Sequence, residues 1–249
     1  MEPFSLGILT AVALATSILS AIVGMAGGIV LLSVMLLFFE PLVAIPLHGV
    51  VQLVSNASRT AIQRRHVDWG IVARYALPLL PMGFVGLAVL RALSPEVARG
   101  LIGAFVLLAT WAPAWLLLGT HPERIDRGRR FFVLGTLAGA INVTIGAVGP
   151  LIAPFFLNLG LPRQGIIGTK AACQTFGHVA KLAVFGVTGF AFLQFAGPLA
   201  LLAAAVVLGT WIGSRILGRV SETAFTWLYK GVLTLVALRL VVVDGLGLF

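Results

Sequence analysis

The chain has 249 residues, a formal net charge of +9, 59% hydrophobic side chains and only 10% charged ones, with a mean hydropathy of +1.08; soluble domains carry about a quarter charged residues. These values exclude a soluble globular domain and, with it, nucleic-acid binding as the meaning of the positive charge, because Lys and Arg gather in the cytoplasmic loops of membrane proteins. They predict an all-α, polytopic membrane protein of about eight to ten transmembrane segments, with almost no extramembrane domain, so any site has to sit inside the bundle.

The first apolar run, 4–23, follows Met1-Glu2-Pro3 with no basic n-region and no small-residue cleavage site, which predicts a retained helix. It carries Thr16, Ser17 and Ser20 and ends at Gly24, followed by Gly27-Gly28 and a short run from Ile29 to Phe39. Eleven helical residues span only about 16 Å, half of the hydrocarbon core. A broken helix or re-entrant hairpin is expected near Gly24-Gly28; close helix packing at the glycines is the plainer alternative.

Leu42 to Gln63 is a full span bearing His48, Gln52, Asn56 and Arg59, and it exits into Arg64-Arg65-His66-Val67-Asp68-Trp69-Gly70. Spans at about 71–93 and 97–119 follow around the turn Ser94-Pro95-Glu96, and the polar stretch His121 to Arg130 is the natural boundary between halves. The second half begins with Phe131 to Ile145, breaks again at Gly146-Pro150, and continues with the short run Leu151 to Leu159. Spans at about 165–188, 193–217 and 223–243 complete it.

The span after the second break carries Lys170, Gln174, His178 and Lys181, spaced at four, four and three, hence on one face of one helix. The first half repeats this plan at a constant offset of 122 residues. Ser20 answers Asn142, Gly27 answers Gly149, His48 answers Lys170, Gln52 answers Gln174, Asn56 answers His178 and Arg59 answers Lys181. The expected organisation is a first transmembrane repeat, 1–119, a cytoplasmic linker, 120–130, and a second repeat, 131–249.

If each broken pair, 4–39 and 131–160, both enters and leaves the bilayer, the loops holding Arg59, Arg64, Arg65, Arg74, Arg124, Arg127, Arg129, Arg130, Arg163, Lys170, Arg215 and Arg219 share one side. Only Arg91 and Arg99 then flank a loop on the other, as the positive-inside rule prefers. That choice makes the second half an inverted copy of the first, with both chain ends outside and Trp69, Trp111, Trp115, Trp211 and Trp227 towards the cytoplasmic interface.

Inversion predicts a shared site at mid-depth. Gln52, Gln174, Asn56, His178, His48 and Lys170 supply its side chains, Gly27, Gly28, Gly149 and Pro150 its broken backbone, and Ser20 and Asn142 the polar positions on the preceding helices. Helix N-termini at the breaks present free N–H groups and the positive end of the dipole, which suit an anion. No carboxylate sits in the middle of an apolar run, although transporters coupled to cations through carboxylates keep one there. Plainer roles stand beside these: amides bridging helices, His48 capping a helix near the interface, and Arg59 and Lys170 snorkelling to the surface. Cys173, the lone cysteine, excludes an internal disulfide and a cysteine-built metal site, and no metal or cofactor is expected.

In their order and repetition, the Gly-rich break after the first helix, the polar span that follows, His66-Val67-Asp68-Trp69 running into the next helix, and Gly146-Ala147-Val148-Gly149-Pro150 resemble the sulfite exporter TauE/SafE family. The first motif, Gly24-Met25-Ala26-Gly27-Gly28, lacks the proline often found there in the family. The resemblance implies movement of small sulfur-containing or organic anions, such as sulfite, sulfonates or sulfoacetate, across the bacterial cytoplasmic (inner) membrane by a multi-pass secondary transporter. The partners expected are a small anion, protons carried by His178 or His48, and the lipid bilayer; a homodimer is compatible. An anion channel on the same scaffold is the rival reading. An intramembrane enzyme is not expected, because the chain has no H-E-x-x-H, no G-x-S-x-G and no paired intramembrane carboxylates.

Overall fold

The computed structural model describes residues 2–23, 27–117, 119, 121–156, 159–216 and 222–247. Gly24, Met25 and Ala26, the start of the first predicted break, lie outside them, as does Arg219. The described residues form eleven α-helices: α1 (Pro3–Val23), α2 (Gly27–Met35), α3 (Pro41–Gln63), α4 (Trp69–Ala76), α5 (Leu79–Ala92), α6 (Pro95–Trp111), α7 (Arg127–Thr144), α8 (Gly149–Ile152), α9 (Arg163–Val187), α10 (Ala196–Ile216) and α11 (Glu222–Val242). The protein is an all-α, polytopic membrane protein. Large apolar side chains on α5 (Phe84, Val85, Val89), α7 (Phe132, Val133, Leu137) and α10 (Leu201, Val207, Leu208) face outward, as a lipid-embedded surface requires.

Local chemistry sets most helix ends. Ser94 accepts from Val97 N (3.4 Å) ahead of Pro95, Asp126 accepts from Arg129 N (3.1 Å), and Asp68 accepts from Ile71 N (3.0 Å), each satisfying an otherwise orphan N–H at a helix start. Prolines account for the departures from the expected spans. The expected span 71–93 is two helices, α4 and α5, bent by 42°, with Pro78 and Pro81 beside the bend. The expected span 97–119 ends as α6 at Trp111, where Pro113 opens a 3-10 turn, Pro113–Leu117. Pro3–Ala21 and Phe192–Gly213 are long and apolar enough to cross a bilayer unaided, and the α4–α5 pair passes the same test when its two bent helices are taken together. Other helices fall short for visible reasons: α6 has 17 residues, α7 opens on Arg127, Arg129 and Arg130, and α3 and α9 carry the buried polar faces.

The packing follows the repeat. Between α3 and α9, Thr60 Oγ1 lies 3.3 Å from Thr175 Oγ1, while Gly49 faces Lys181 and Gly168 faces Gln63; these pairings make the two helices antiparallel. α6 and α11 are likewise antiparallel, with Gly100 against Gly245 and Trp111 Nε1 donating to Thr234 Oγ1 at 2.8 Å. α1 packs in parallel on α10, and α7, the counterpart of α1, packs in parallel on α5. Small residues make these approaches close. A Cβ on Gly213 would stand 2.5 Å from the Ile18 carbonyl oxygen, and one on Gly139 2.9 Å from that of Leu79.

Backbone cannot yield as a side-chain tip can, so Gly213→Leu should force α1 and α10 apart and cost about 1–3 kcal/mol. A clear fall in melting temperature in detergent is expected, against no change for Gly7→Leu, whose Cβ meets nothing within 4 Å.

The ends of the molecule differ in charge. Asp68 and Arg127 pair at 2.5 Å, Gly128 lies against Arg74, and Gly165 against the His66 carbonyl, so the segments after α3, before α7 and before α9 meet at one end rich in arginine. Trp111 and Trp227 lie near one another (centroids 6.3 Å), and the Arg215 guanidinium stacks over Trp211 (3.9 Å) at the last turn of α10. At the opposite end Arg91 Nη2 donates to the Thr188 carbonyl (3.2 Å).

Candidate functional site

Both breaks turn towards the middle of the bundle. Gly27, at the start of α2, is pressed against the Thr16 carbonyl and Ser20 of α1; only a residue without a Cβ fits there. Gly146, past the end of α7, has φ +89° and abuts Leu32 of α2 and Ile45 of α3. The second break therefore packs on the half-helix and polar span that follow the first. The second half-helix is shorter than the sequence suggests: α8 is a single turn, and Pro154 lies in the 3-10 segment Ala153–Phe156 that follows. α2, with nine residues, is the better formed of the two.

A cavity lies between the breaks and the polar faces of α3 and α9. Within it the centre of a water molecule can move through about 40 Å³; one water needs roughly 10–15 Å³ by that measure, so there is room for about three waters or one small oxyanion. Of the residues picked from the sequence, Gln52, Gln174, Lys170, His178 and His48 line it with side chains, Gly28, Gly149 and Pro150 contribute the breaks, and Ser20 reaches it from α1. Asn56, Gly27 and Asn142 are buried and do not line it. Asn56 Nδ2 donates to the Gln52 carbonyl (2.9 Å), and Asn142 Nδ2 donates to the Gly177 carbonyl (3.1 Å). Thr175, next to Gln174 on α9, lies 3.3 Å from the Thr60 hydroxyl.

The two glutamines stand in related settings. A Cβ on Gly28 would meet Gln52 Oε1 at 2.9 Å, and one on Gly149 would meet Gln174 Nε2 at 3.4 Å. Each amide thus lies against the bare backbone of one break. His48 Nε2 donates to the Gly28 carbonyl at 2.8 Å, which fixes the proton on that nitrogen if the ring is neutral; Nδ1 of His48 and Nδ1 of His178 are buried without a hydrogen-bond partner. The two rings meet edge to face, 6.1 Å apart. Lys181, fully buried, donates to the Gly146 carbonyl at 2.7 Å.

Arg59 is the lining residue that sequence reasoning set aside as a snorkelling side chain. Its Nη2 donates to Asn56 Oδ1 (3.0 Å) and Ser55 Oγ (3.3 Å), and its Nε to the Ser55 carbonyl (3.3 Å), so the guanidinium is turned back along α3 into the cavity. The available signal was its repeat partner, Lys181, well inside a span. Ile29, Ala147 and Val148 complete the wall. Among the described residues no acid lines the cavity. A site with amide donors, a guanidinium, an amine and two imidazoles, and no carboxylate among the described residues, is built for negative charge.

Residues 9–240 match the family model described as sulfite exporter TauE/SafE. The chain is also similar to a curated protein of Cupriavidus necator named probable sulfite/organosulfonate exporter TauE, with 33% identity over 112 residues. That stretch is 43% of this chain and 43% of the relative, so the match spans less than half the relative's length. No solved structure matches.

Proposed function

Since the chain belongs to the sulfite exporter TauE/SafE family, we propose that it is a secondary transporter, working as an exporter, of small sulfur-containing or organic anions such as sulfite, sulfonates or sulfoacetate. In this reading it lies in the bacterial inner membrane with its arginine-rich end in the cytoplasm. It works by alternating access of two inverted repeats, 1–119 and 131–249, joined by the 120–130 linker. One observation carries the proposal: broken backbone and glutamine side chains from both halves meet in a buried cavity that holds basic groups and, among the described residues, no acid. Support for the inverted repeat comes from the pairing of α3 with α9, α6 with α11, and α1–α10 with α7–α5, the exchange that a twofold axis in the membrane plane requires. The name of the Cupriavidus relative supports the class of substrate. Protons are the coupling ion of this reading, carried by His178 or His48.

Counterflow in proteoliposomes tests it. Vesicles loaded with sulfite or methanesulfonate should take up the labelled anion in a saturable, trans-stimulated manner, faster with a proton gradient. Unitary currents in a planar bilayer would make the protein a channel instead. Failure to move any sulfur oxyanion or carboxylate would sink the proposal, and a pH-independent exchange rate would remove the protons from it.

A further inference from the structure

Repeat-related positions do different jobs in the two halves. His48 and Lys170 are counterparts, as are Arg59 and Lys181. In the first half His48 is tied to a break carbonyl, that of Gly28; in the second the tie is made from the other position, by Lys181 to Gly146. Each half also places one further base on the cavity, Arg59 from the first and Lys170 from the second.

The two meet at one level. Because α3 and α9 are antiparallel, with Thr60 beside Thr175 and Gln63 beside Gly168, Arg59 and Lys170 come from opposite helices to the same depth, near the arginine-rich end. Lys170 lines the same cavity as Arg59, and its side chain is buried. Asn56 and Ser55 hold the guanidinium in place. When both are protonated, two bases side by side with no carboxylate among the described lining residues repel each other, and in low dielectric that repulsion is large. Negative charge lying between them removes it.

Resting on the reading of this cavity as an anion path, we infer that Arg59 and Lys170 are a charge-selecting pair: together they hold one compact oxyanion bearing two negative charges and discriminate against oxyanions bearing one. The arginine contributes a planar fork that matches two oxygens, the lysine a point charge. The glutamines are indifferent to charge number, so the discrimination resides in the two bases.

The test is competition against labelled sulfite at neutral pH by sulfate and by methanesulfonate, which match in shape and differ in charge. Wild type should prefer the divalent competitor by about tenfold or more, the size of one charge-assisted contact. Arg59→Gln and Lys170→Gln should each weaken both competitors, the divalent one more, and so bring that ratio to near one; Arg59→Lys, which keeps the charge, should retain most of the preference. Melting temperatures of the purified variants show that they are folded, and Arg59→Lys keeps the inference testable where a glutamine variant is not. A wild type that moves sulfur oxyanions with no preference between the competitors, or a preference that survives in Arg59→Gln and Lys170→Gln, overturns the inference and leaves the anion reading standing. A wild type that moves no anion overturns both.

Discussion

Replacing Gln52 and Gln174 together by alanine should abolish anion counterflow, with each single change costing about 10- to 100-fold in apparent affinity. The estimate rests on hydrogen bonds to a charged partner being worth about 1.5–3 kcal/mol, with about 1.4 kcal/mol per tenfold. The two amides come from opposite helices onto one cavity, so their effects are expected to couple rather than simply add. The glycines behind them supply an ordering that generic damage would not produce. Gly28→Ala places a methyl 2.9 Å from Gln52 Oε1 and must displace that amide, whereas Gly149→Ala makes only ordinary contact, 3.4 Å, with Gln174. Gly28→Ala should therefore resemble Gln52→Ala, and Gly149→Ala should stay near the parent. A double glutamine variant that exchanges sulfite at the parental rate would remove the amides from the site.

The second large effect is one of stability. Lys181 is fully buried, its stem runs along Gly49 of α3, where a Cβ would stand 3.0 Å from its Cδ, and its amine holds the Gly146 carbonyl. Lys181→Ala removes the stem and orphans the carbonyl. The lost packing costs about 2–5 kcal/mol and the unsatisfied carbonyl about 1–3, which together should lower the melting temperature in mild detergent steeply. Lys181→Met keeps the stem and gives up only the amine, whose own burial is costly, so it should lose less than half as much. Thermal unfolding of the two variants separates these contributions. Equal losses would mean that the bond to Gly146, and not the packing on Gly49, does the holding.

The polar faces and their repetition were legible because helical period and a constant offset are properties of sequence alone: Gln52, Gln174, Lys170, His48 and His178 do converge on one cavity. Depth was harder. Arg59 lies near the end of α3, where a long cationic side chain ordinarily reaches for water; only the turned-back hydrogen bonds to Ser55 and Asn56 reveal its direction. For Asn56 the spacing placed it on the right face, but its amide is taken up within α3. The Gly149-Pro150 signal marked a helix start correctly, yet Pro154 follows so soon that α8 is one turn long, and the dipole argument is better made for α2. The same residue type, at 78, 81 and 113, bent or shortened spans that apolar runs had made look straight.

The glycine-tight contact between α1 and α10 also bears on how the molecule is assembled. α1 is synthesised well before α10, so the face of α1 carrying Thr16 and Ser17, covered in the folded protein, enters the bilayer long before its cover exists. The nascent chain must keep that hydroxyl-bearing strip sheltered, at the insertion machinery or against a temporary neighbour, until α10 has emerged. Long-range closure of this kind is slow and exposes partly built intermediates, and it leaves a truncated product with two helices, α1 and α7, of which only α7 has already met its partner.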